Sequence, residues 1–285
     1  MSKGRVGLFW LVCLFVGRAA TGTADHGIET DVPMESHRGL PIIDVFVNGL
    51  GPFRFGVDTG AMDPIVLSES LVDSLGSAGA DTTVTGSDGH LFRDRGRLVG
   101  SVGIGDATFP GSPARSHDFG PMALPVDGIL GFPFFRDHLL TLDYPAGRLR
   151  INSAAPPAVD GAAILPFETH PTGLATLEMT VDGEPLTALL DTGNMAAAFY
   201  LPGSLVSRLE RVAGSGGSRQ ARTAGGEISL EETRLAGEIH LGPMVFERPV
   251  VVFGETFSLG NVGGLAFADC AVSIDQARGH LRIVR

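Results

Sequence analysis

The chain has 285 residues, 44% of them hydrophobic and only 19% charged, a composition that excludes a disordered chain and suffices for one large or two small domains. Its formal net charge of −11 argues against nucleic acid or an anionic membrane as the main partner. Forty glycines and eighteen prolines indicate many turns between short strands.

The first 24 residues have the pattern of an export signal. Lys3 and Arg5 precede an apolar run at 6–16, and small residues follow at 19–24. The run is too short to span a bilayer, so we expect residues 1–24 to be a cleaved signal peptide, with retention as an anchor as the alternative. Cys13 lacks the small residues that precede the cysteine of a lipoprotein signal, which makes lipidation the lesser alternative.

Lys3 is the only lysine beside twenty arginines, a bias typical of GC-rich bacterial coding. Together with the export signal, this bias predicts a periplasmic or secreted bacterial protein. After cleavage of the signal we expect no stable membrane insertion. Without residues 1–24, 18 basic and 32 acidic residues remain and the net charge is −14. Cys270 is then the only cysteine, which excludes an intramolecular disulfide.

The remaining sequence is one unit written twice. Val57-Asp58-Thr59-Gly60 recurs as Leu190-Asp191-Thr192-Gly193 at an offset of 133, and further matches before and after it keep the same order at offsets of 132 to 137. This pattern predicts a tandem duplication with a first lobe at 25–151 and a second lobe at 166–285. Residues 152–165 between them are rich in Ala, Pro and Gly, which predicts a linker.

Each half has the pattern of a β lobe. Asn48-Gly49 and Asp182-Gly183 lie between alternating apolar residues and predict tight hairpins, because both central residues of such a turn need positive φ. Each Asp-Thr-Gly then follows the second strand of its hairpin. Apolar spacing at 71, 72 and 75, matched at 205, 206 and 209, predicts one short helix per half.

The two aspartates, Asp58 and Asp191, are the candidate catalytic residues. A single Asp-Thr-Gly is usually a turn, but two copies at equivalent places in a duplicated fold would meet at a pseudo-two-fold axis. Two adjoining carboxylates share one proton, so one can take a proton from water while the other protonates a leaving group. The following residues would support the loops, Gly60 and Gly193 by allowing close approach and Thr59 and Thr192 by hydrogen bonding across the axis.

These motifs resemble the retropepsin-like branch of the pepsin-type aspartic peptidases. The resemblance extends over about residues 33–283 and includes Gly128-Ile129-Leu130-Gly131 and Val262-Gly263-Gly264-Leu265, which in that family pass behind the catalytic loops. It implies an all-β fold of two tandem acid-protease β-barrel lobes related by pseudo-two-fold symmetry. It also implies an aspartic endopeptidase that cleaves an extended peptide by a water activated between two aspartates, without a cofactor.

The resemblance further implies a flap hairpin in each half. The candidates are 83–92 around Asp88-Gly89 and 222–230 around Gly225-Gly226, with ordinary surface hairpins as the alternative. Neither contains a tyrosine, unlike pepsin itself, which favours the retropepsin-like branch. Asn194 replaces the Ala, Ser or Thr usual after the motif, and we hypothesise that its amide hydrogen-bonds near Asp191 and makes the two aspartates inequivalent.

Other functions have less support in the sequence. There is no His-Glu-x-x-His, no Cys/His cluster and no Gly-x-Ser-x-Gly, so neither a metal site nor a serine hydrolase is expected. A non-catalytic peptide-binding protein that kept the fold is the main alternative. A single lobe that acts only within an oligomer is a further alternative, but the fused duplication makes it unnecessary, so we expect a monomer.

Overall fold

The computed structural model describes residues 29–75, 81–85, 91–120, 124–153, 164–223, 226–255 and 258–285, and these ranges are almost entirely β-structure. Residues 1–24, predicted to be the export signal, lie outside them. Within the described residues no helix is long and apolar enough to cross a membrane.

The first half contains fourteen described strands and one α-helix, α1, at Glu69–Ser74. The strands are β1 Glu29–Pro33, β2 Glu35–His37, β3 Leu40–Val47, β4 Leu50–Asp58, β5 Ile65–Ser68, β6 Asp81–Thr85, β7 Leu91–Arg95, β8 Arg97–Leu98, β9 Ser101–Ile104, β10 Ala107–Pro110, β11 Pro113–His117, β12 Gly128–Gly131, β13 Leu139–Asp143 and β14 Arg148–Asn152.

The second half contains thirteen described strands. They are β15 Ile164–Pro166, β16 Glu168–Thr169, β17 Ala175–Val181, β18 Glu184–Asp191, β19 Phe199–Pro202, β20 Gly217–Thr223, β21 Gly226–Arg234, β22 Glu238–Leu241, β23 Met244–Glu247, β24 Val250–Gly254, β25 Gly260–Gly263, β26 Ala271–Asp275 and β27 His280–Val284. Short 3₁₀ helices lie at Phe132–Phe135, Gly203–Leu205 and Gly264–Phe267.

The strands form one sheet per lobe and one sheet between the lobes. The first lobe has the order β10-β9-β3-β4-β12-β5-β11-β8, with β2 paired to β3. The second has the order β20-β21-β24-β19-β25-β18-β17-β22-β23, with β16 paired to β17. The third sheet, β1-β14-β13-β26-β27-β15, takes strands from both halves, and β6 pairs with β7 separately.

The predicted hairpins are confirmed in both lobes. Val47 pairs with Leu50 around Asn48-Gly49, and Val181 pairs with Glu184 around Asp182-Gly183. Asn48 and Asp182 have φ of 53° and 51°, and the glycines have φ of 78° and 84°, as this tight turn requires. Each hairpin delivers its second strand, β4 or β18, to the centre of its sheet.

The interlobe sheet contains the pseudo-two-fold axis. β13 pairs antiparallel with β26, and Thr141 lies opposite Ser273, its equivalent in the other half, with the two hydroxyl oxygens 2.9 Å apart. Beside them Leu140 lies opposite Ile274, both 1% exposed. Leu140 and Ile274 belong to one apolar core that continues into both lobes.

The predicted helices differ between the halves. In the first half α1 forms as predicted, and the Ser68 hydroxyl caps it by accepting a hydrogen bond from Leu71 N–H at 3.1 Å. In the second half the segment is only a 3₁₀ turn at Gly203–Leu205 followed by turns. Pro202 takes the cap position there and has no side-chain acceptor, and Gly203 is a poor helix former.

The described ends of the predicted linker 152–165 are strands. β14 extends through Asn152, and β15 begins at Ile164 and pairs with β27. Both ends join the interlobe sheet because Leu165 pairs with Leu281 and Asn152 pairs with Leu139. Residues 154–163 lie outside the described ranges.

We expect Leu140→Ala to lower the free energy of unfolding by about 2–5 kcal/mol, because it leaves a cavity against Ile274 in the core shared by the lobes. Urea unfolding of the full chain measures this effect. Leu98→Ala is the control, since Leu98 is 79% exposed and its truncation should change the value by less than about 0.5 kcal/mol. Equal effects of the two substitutions would contradict the interlobe core.

Candidate active site

Each aspartate ends a central strand that runs beside a glycine-containing strand. β4 ends at Asp58 and pairs in parallel with β12, where Gly131 lies opposite Asp58. β18 ends at Asp191 and pairs in parallel with β25, where Gly263 lies opposite Asp191. Both glycine strands therefore pass beside the loops, as the family resemblance implied, including the less apolar second one.

The glycines of these strands allow the loops to fold back over them. A Cβ on Gly131 would lie 2.9 Å from the carbonyl oxygen of Ala61, and one on Gly263 would lie 2.8 Å from that of Asn194, its equivalent. Such distances are too short for real carbon–oxygen contacts, so these positions need glycine. The loop after each aspartate is thereby held directly against the supporting strand.

The two threonines bind each other's loops across the axis. The Thr59 hydroxyl donates to the carbonyl oxygen of Leu190 at 2.9 Å and accepts from Thr192 N–H at 3.0 Å. The Thr192 hydroxyl donates to the carbonyl oxygen of Val57 at 2.7 Å and accepts from Thr59 N–H at 3.0 Å. Both threonines are at most 1% exposed, so these four hydrogen bonds are sheltered from water.

The carboxyl groups face each other across glycine backbone. A Cβ on Gly60 would overlap the Asp191 carboxyl group, and one on Gly193 would overlap that of Asp58. Gly60 N–H donates to Asp58 Oδ1 at 2.7 Å, and the two carboxyl groups lie close enough for the charge of Asp191 to raise the pKa of Asp58. The structure thus brings the six sequence-predicted residues of the two motifs into one symmetrical arrangement.

Burial and mutual repulsion raise the pKa at which the pair loses its last proton. Removal from water raises the pKa of Asp58 above its ordinary value, and the negative charge of Asp191 raises it further. Burial also raises the pKa of Asp191, but a hydrogen bond from Asn261 opposes this effect. One shared proton between the two carboxyl groups is therefore the expected state near neutral pH.

Asn261 was missed by the sequence analysis. Its Nδ2 donates to Asp191 Oδ2 at 2.6 Å, and its Oδ1 accepts from Asn194 Nδ2 at 2.8 Å. The Asn194 amide therefore does hydrogen-bond near Asp191, as hypothesised from the sequence, and it reaches the carboxyl group through Asn261. The repeat contains the signal for this site, since Asn261 occupies the position that Ile129 has in the first half.

Two antiparallel hairpins lie at the predicted flaps. In the first half β6 pairs with β7, but Asp88 and Gly89 lie outside the described residues. In the second half β20 pairs with β21, which begins at Gly226, while Gly225 also lies outside them. Leu230 on β21 belongs to an apolar cluster with residues that follow the Asp191 loop, so this hairpin adjoins the site.

Two buried apolar clusters include residues of the chain segments that follow the aspartates. Ala61, which follows the first motif, and Met195, which follows the second, pack against the first-lobe cluster. Ala197, six residues after Asp191, belongs to the second-lobe cluster, and Met62, which follows the first motif, is 52% exposed. The members of the two buried clusters are Leu40, Ile42, Phe119, Val126 and Ile129 in the first lobe and Ala197, Tyr200, Leu230 and Val252 in the second.

Three comparisons relate this arrangement to known proteins. A family model described as aspartyl protease matches residues 43–134 and 177–266, that is, most of both halves. Among solved structures, Basic 7S globulin from soybean is similar over 90% of this chain and 94% of its own, with 11% identity and a TM-score of 0.53. A retropepsin-like aspartic protease from Rickettsia conorii is similar over 46% of this chain and 96% of its own, with 22% identity and a TM-score of 0.35. No curated protein gave a significant match.

We expect Thr59→Val to lower the free energy of unfolding by about 2–5 kcal/mol, because it leaves both Leu190 C=O and Thr192 N–H without a partner in a buried place. Urea unfolding measures the loss, and Thr59→Ser, which keeps the hydroxyl, should restore most of it. Thr141→Val removes one half-buried hydroxyl pair on the same axis and serves as the control, with an expected loss of about 1 kcal/mol. A Thr59→Val loss no larger than this control would contradict the role of the threonine bonds.

We expect Asp58→Asn to stabilise the protein at neutral but not at acidic pH. The pKa of Asp58 is higher in the folded than in the unfolded wild-type protein. The wild type is therefore most stable below the unfolded pKa of ~4, and it loses stability as the pH rises toward the folded pKa. The gain at pH 7 should exceed about 1.4 kcal/mol, which corresponds to one pKa unit, and should vanish near pH 4. Urea unfolding across this range tests the expectation, with Asp44→Asn on the exposed face of β3 as the control. A gain that is independent of pH would contradict it.

Proposed function

Since this chain belongs to the aspartyl protease family, we propose that it is an aspartic endopeptidase whose two lobes supply Asp58 and Asp191 to one catalytic site. The observation that carries the proposal is the pair of half-buried carboxyl groups at the ends of equivalent strands, each packed against the glycine of the opposite motif and held in place by the threonines. Such a pair retains one proton over a wide pH range, which is the state that acid–base hydrolysis needs.

The proposed reaction uses the charged and the protonated carboxyl groups together. The ionised carboxylate takes a proton from a water molecule, and the oxygen of that water attacks the peptide carbonyl carbon. The protonated carboxyl group donates a hydrogen bond to the carbonyl oxygen. The C–N bond then breaks as the amine leaves with a proton from the pair, so no metal and no cofactor is needed. Among the described residues there is no group of three or more His, Cys, Asp and Glu side chains that could hold a metal ion.

The surroundings of the pair support a peptide as the substrate. The second-lobe hairpin of β20 and β21 adjoins the site, and extended peptides bind readily along such strands. The partly exposed apolar residues that follow the two motifs, Ala61 and Met195, favour apolar side chains next to the cleaved bond. We also propose that the protein acts after export as a periplasmic or secreted monomer, on the basis of the pattern in residues 1–24 and the fusion of both lobes in one chain.

The alternative, a non-catalytic peptide-binding protein with the same fold, explains less of the site. Partial burial raises the pKa of both aspartates, and two adjoining half-buried carboxyl groups cost stability at neutral pH. A protein that only binds peptides would gain nothing from this cost. Hydrophobic or amide residues at positions 58 and 191 would serve the fold better.

We expect the wild-type protein to cleave members of a diverse peptide library between acidic and neutral pH, with Asp58→Asn and Asp191→Asn each at least about 10²–10⁴-fold slower. Each substitution removes one partner of the acid–base pair and leaves the fold in place. Mass spectrometry of the products measures cleavage and gives the preferred side chains. A statine-type transition-state inhibitor should block the wild-type reaction.

Asp44→Asn is the matched control, since it removes an exposed carboxyl group from β3. Its rate should equal that of the wild type. Persistent cleavage in both active-site variants would overturn the proposed function. Binding of library peptides without any cleavage by folded wild type would favour the non-catalytic alternative.

A further inference from the structure

The two halves differ in chemistry next to the aspartates. In the first half Ala61 follows the motif and Ile129 lies in the supporting strand β12. At the equivalent positions of the second half stand Asn194 and Asn261. Two amides thus stand where the first half has two apolar residues, and the amides contact each other.

A backbone N–H group fixes which way the oxygen and nitrogen of the two side-chain amides point. Ala196 N–H, which can only donate, donates to Asn194 Oδ1 at 3.0 Å. Asn194 Nδ2 must then face Asn261 Oδ1, which leaves Asn261 Nδ2 to face Asp191 Oδ2. The chain of hydrogen bonds therefore delivers an N–H group to Asp191, whatever the protonation state of the carboxyl pair.

Asp58 has no such partner from the equivalent strand. The aliphatic side chain of Ile129 cannot donate a hydrogen bond, and it packs in the first-lobe cluster with Ala61. The backbone of Gly60 and Gly193 supplies donors to Asp58, and the backbone of Gly193 and Asn194 supplies donors to Asp191. The side-chain donor of Asn261 is the feature that separates the two aspartates.

We propose that Asn261, oriented by Asn194, places the single negative charge of the pair on Asp191 and leaves the shared proton on Asp58. A hydrogen bond to a charged acceptor is stronger than one to a neutral acceptor, so the N–H of Asn261 favours ionised Asp191. The titratable group that faces Asp191 is Asp58 itself. Leu189 and Tyr200 lie opposite Asn261 on the adjacent strands, and Tyr200 is the titratable one of the two.

The catalytic consequence of this asymmetry rests on the proposed function. Asp191 is then the base that takes the proton from water, and Asp58 is the acid that hydrogen-bonds to the substrate carbonyl oxygen. Asn261 and Asn194 are positioning residues, because they act through Asp191 and do not touch the reacting atoms.

The assignment predicts which of the two titration steps depends on Asn261. The pair loses its first proton in an acidic step and its second in a basic step. If Asp191 ionises first, Asn261 stabilises the product of the acidic step, and it contributes equally before and after the basic step. Removal of the amide pair then raises the acidic pKa and leaves the basic pKa in place. If Asp191 instead held the last proton, only the basic pKa would rise.

The test is a carbon NMR titration of the full chain labelled at the aspartate carboxyl groups, with Asp58→Asn and Asp191→Asn to assign the two resonances. In the wild type we expect Asp191 to change mainly in the acidic step and Asp58 mainly in the basic step. The double variant Asn194→Ala/Asn261→Ile copies the first half onto the second. Its acidic step should move up by about one to two pH units.

The matched variant Ala61→Asn/Ile129→Asn copies the second half onto the first. It gives Asp58 a side-chain donor, so we expect its basic step to move down while its acidic step stays. Circular dichroism shows whether each variant folds. If the first double variant does not fold, the single variant Asn194→Ala, which removes only the group that orients Asn261, should show a smaller upward shift of the acidic step.

An upward shift of the basic step alone, or no shift in either step, would overturn the assignment. The titration needs no turnover, so it reads out the asymmetry even if the protein cleaves no peptide. Cleavage that depends on both aspartates, combined with an unshifted titration, would overturn the assignment of the proton and leave the proposed function intact.

Discussion

The hydrogen bonds between Thr59 and Thr192 are the constraint on which the rest of the site depends. Each hydroxyl binds the carbonyl group that precedes the partner's aspartate and the N–H of the partner threonine. The ends of β4 and β18 are therefore held together at the axis by bonds that water does not reach. Two carboxyl groups would otherwise separate, because burial and mutual repulsion both oppose their approach. The threonines fix the geometry, and the carboxyl groups respond by sharing a proton.

Glycine at four positions makes this closeness possible. Gly60 and Gly193 leave room for the opposite carboxyl group, and Gly131 and Gly263 leave room for the loop that carries the adjacent one. In each case the space that a Cβ would fill is taken by an atom of the site. The wider fold supports the same arrangement, since the interlobe sheet joins the two halves at equivalent residues, Thr141 and Ser273, on the same pseudo-two-fold axis.

The sequence predicted the parts of this structure that are local or repeated. The hairpins at Asn48-Gly49 and Asp182-Gly183 followed from turn chemistry, and the meeting of Asp58 and Asp191 followed from the duplication. The strand order of the interlobe sheet could not be predicted, because its strands come from both halves. Pairing between strands distant in the chain produces no recognisable pattern in the sequence of either strand. The second helix failed because Pro202 replaces the capping Ser68 of the first half. Asn261 was not predicted because it lies outside the Asp-Thr-Gly motif. Its role can be inferred from the sequence only by comparing it with Ile129, its equivalent in the first half.

Fusion of the two lobes in one chain has a chemical consequence. A symmetrical dimer of identical lobes must place the same residue beside both aspartates, so any donor that it gives to one carboxyl group it gives to both. In this chain the two copies can differ, and positions 61 and 129 are apolar while positions 194 and 261 are amides. The threonines and glycines of both motifs are the same, so the amides add a side-chain donor to one carboxyl group without changing the residues that hold the pair. Duplication therefore kept the symmetrical geometry that holds the pair together and allowed an asymmetrical electrostatic environment that can distinguish an acid from a base.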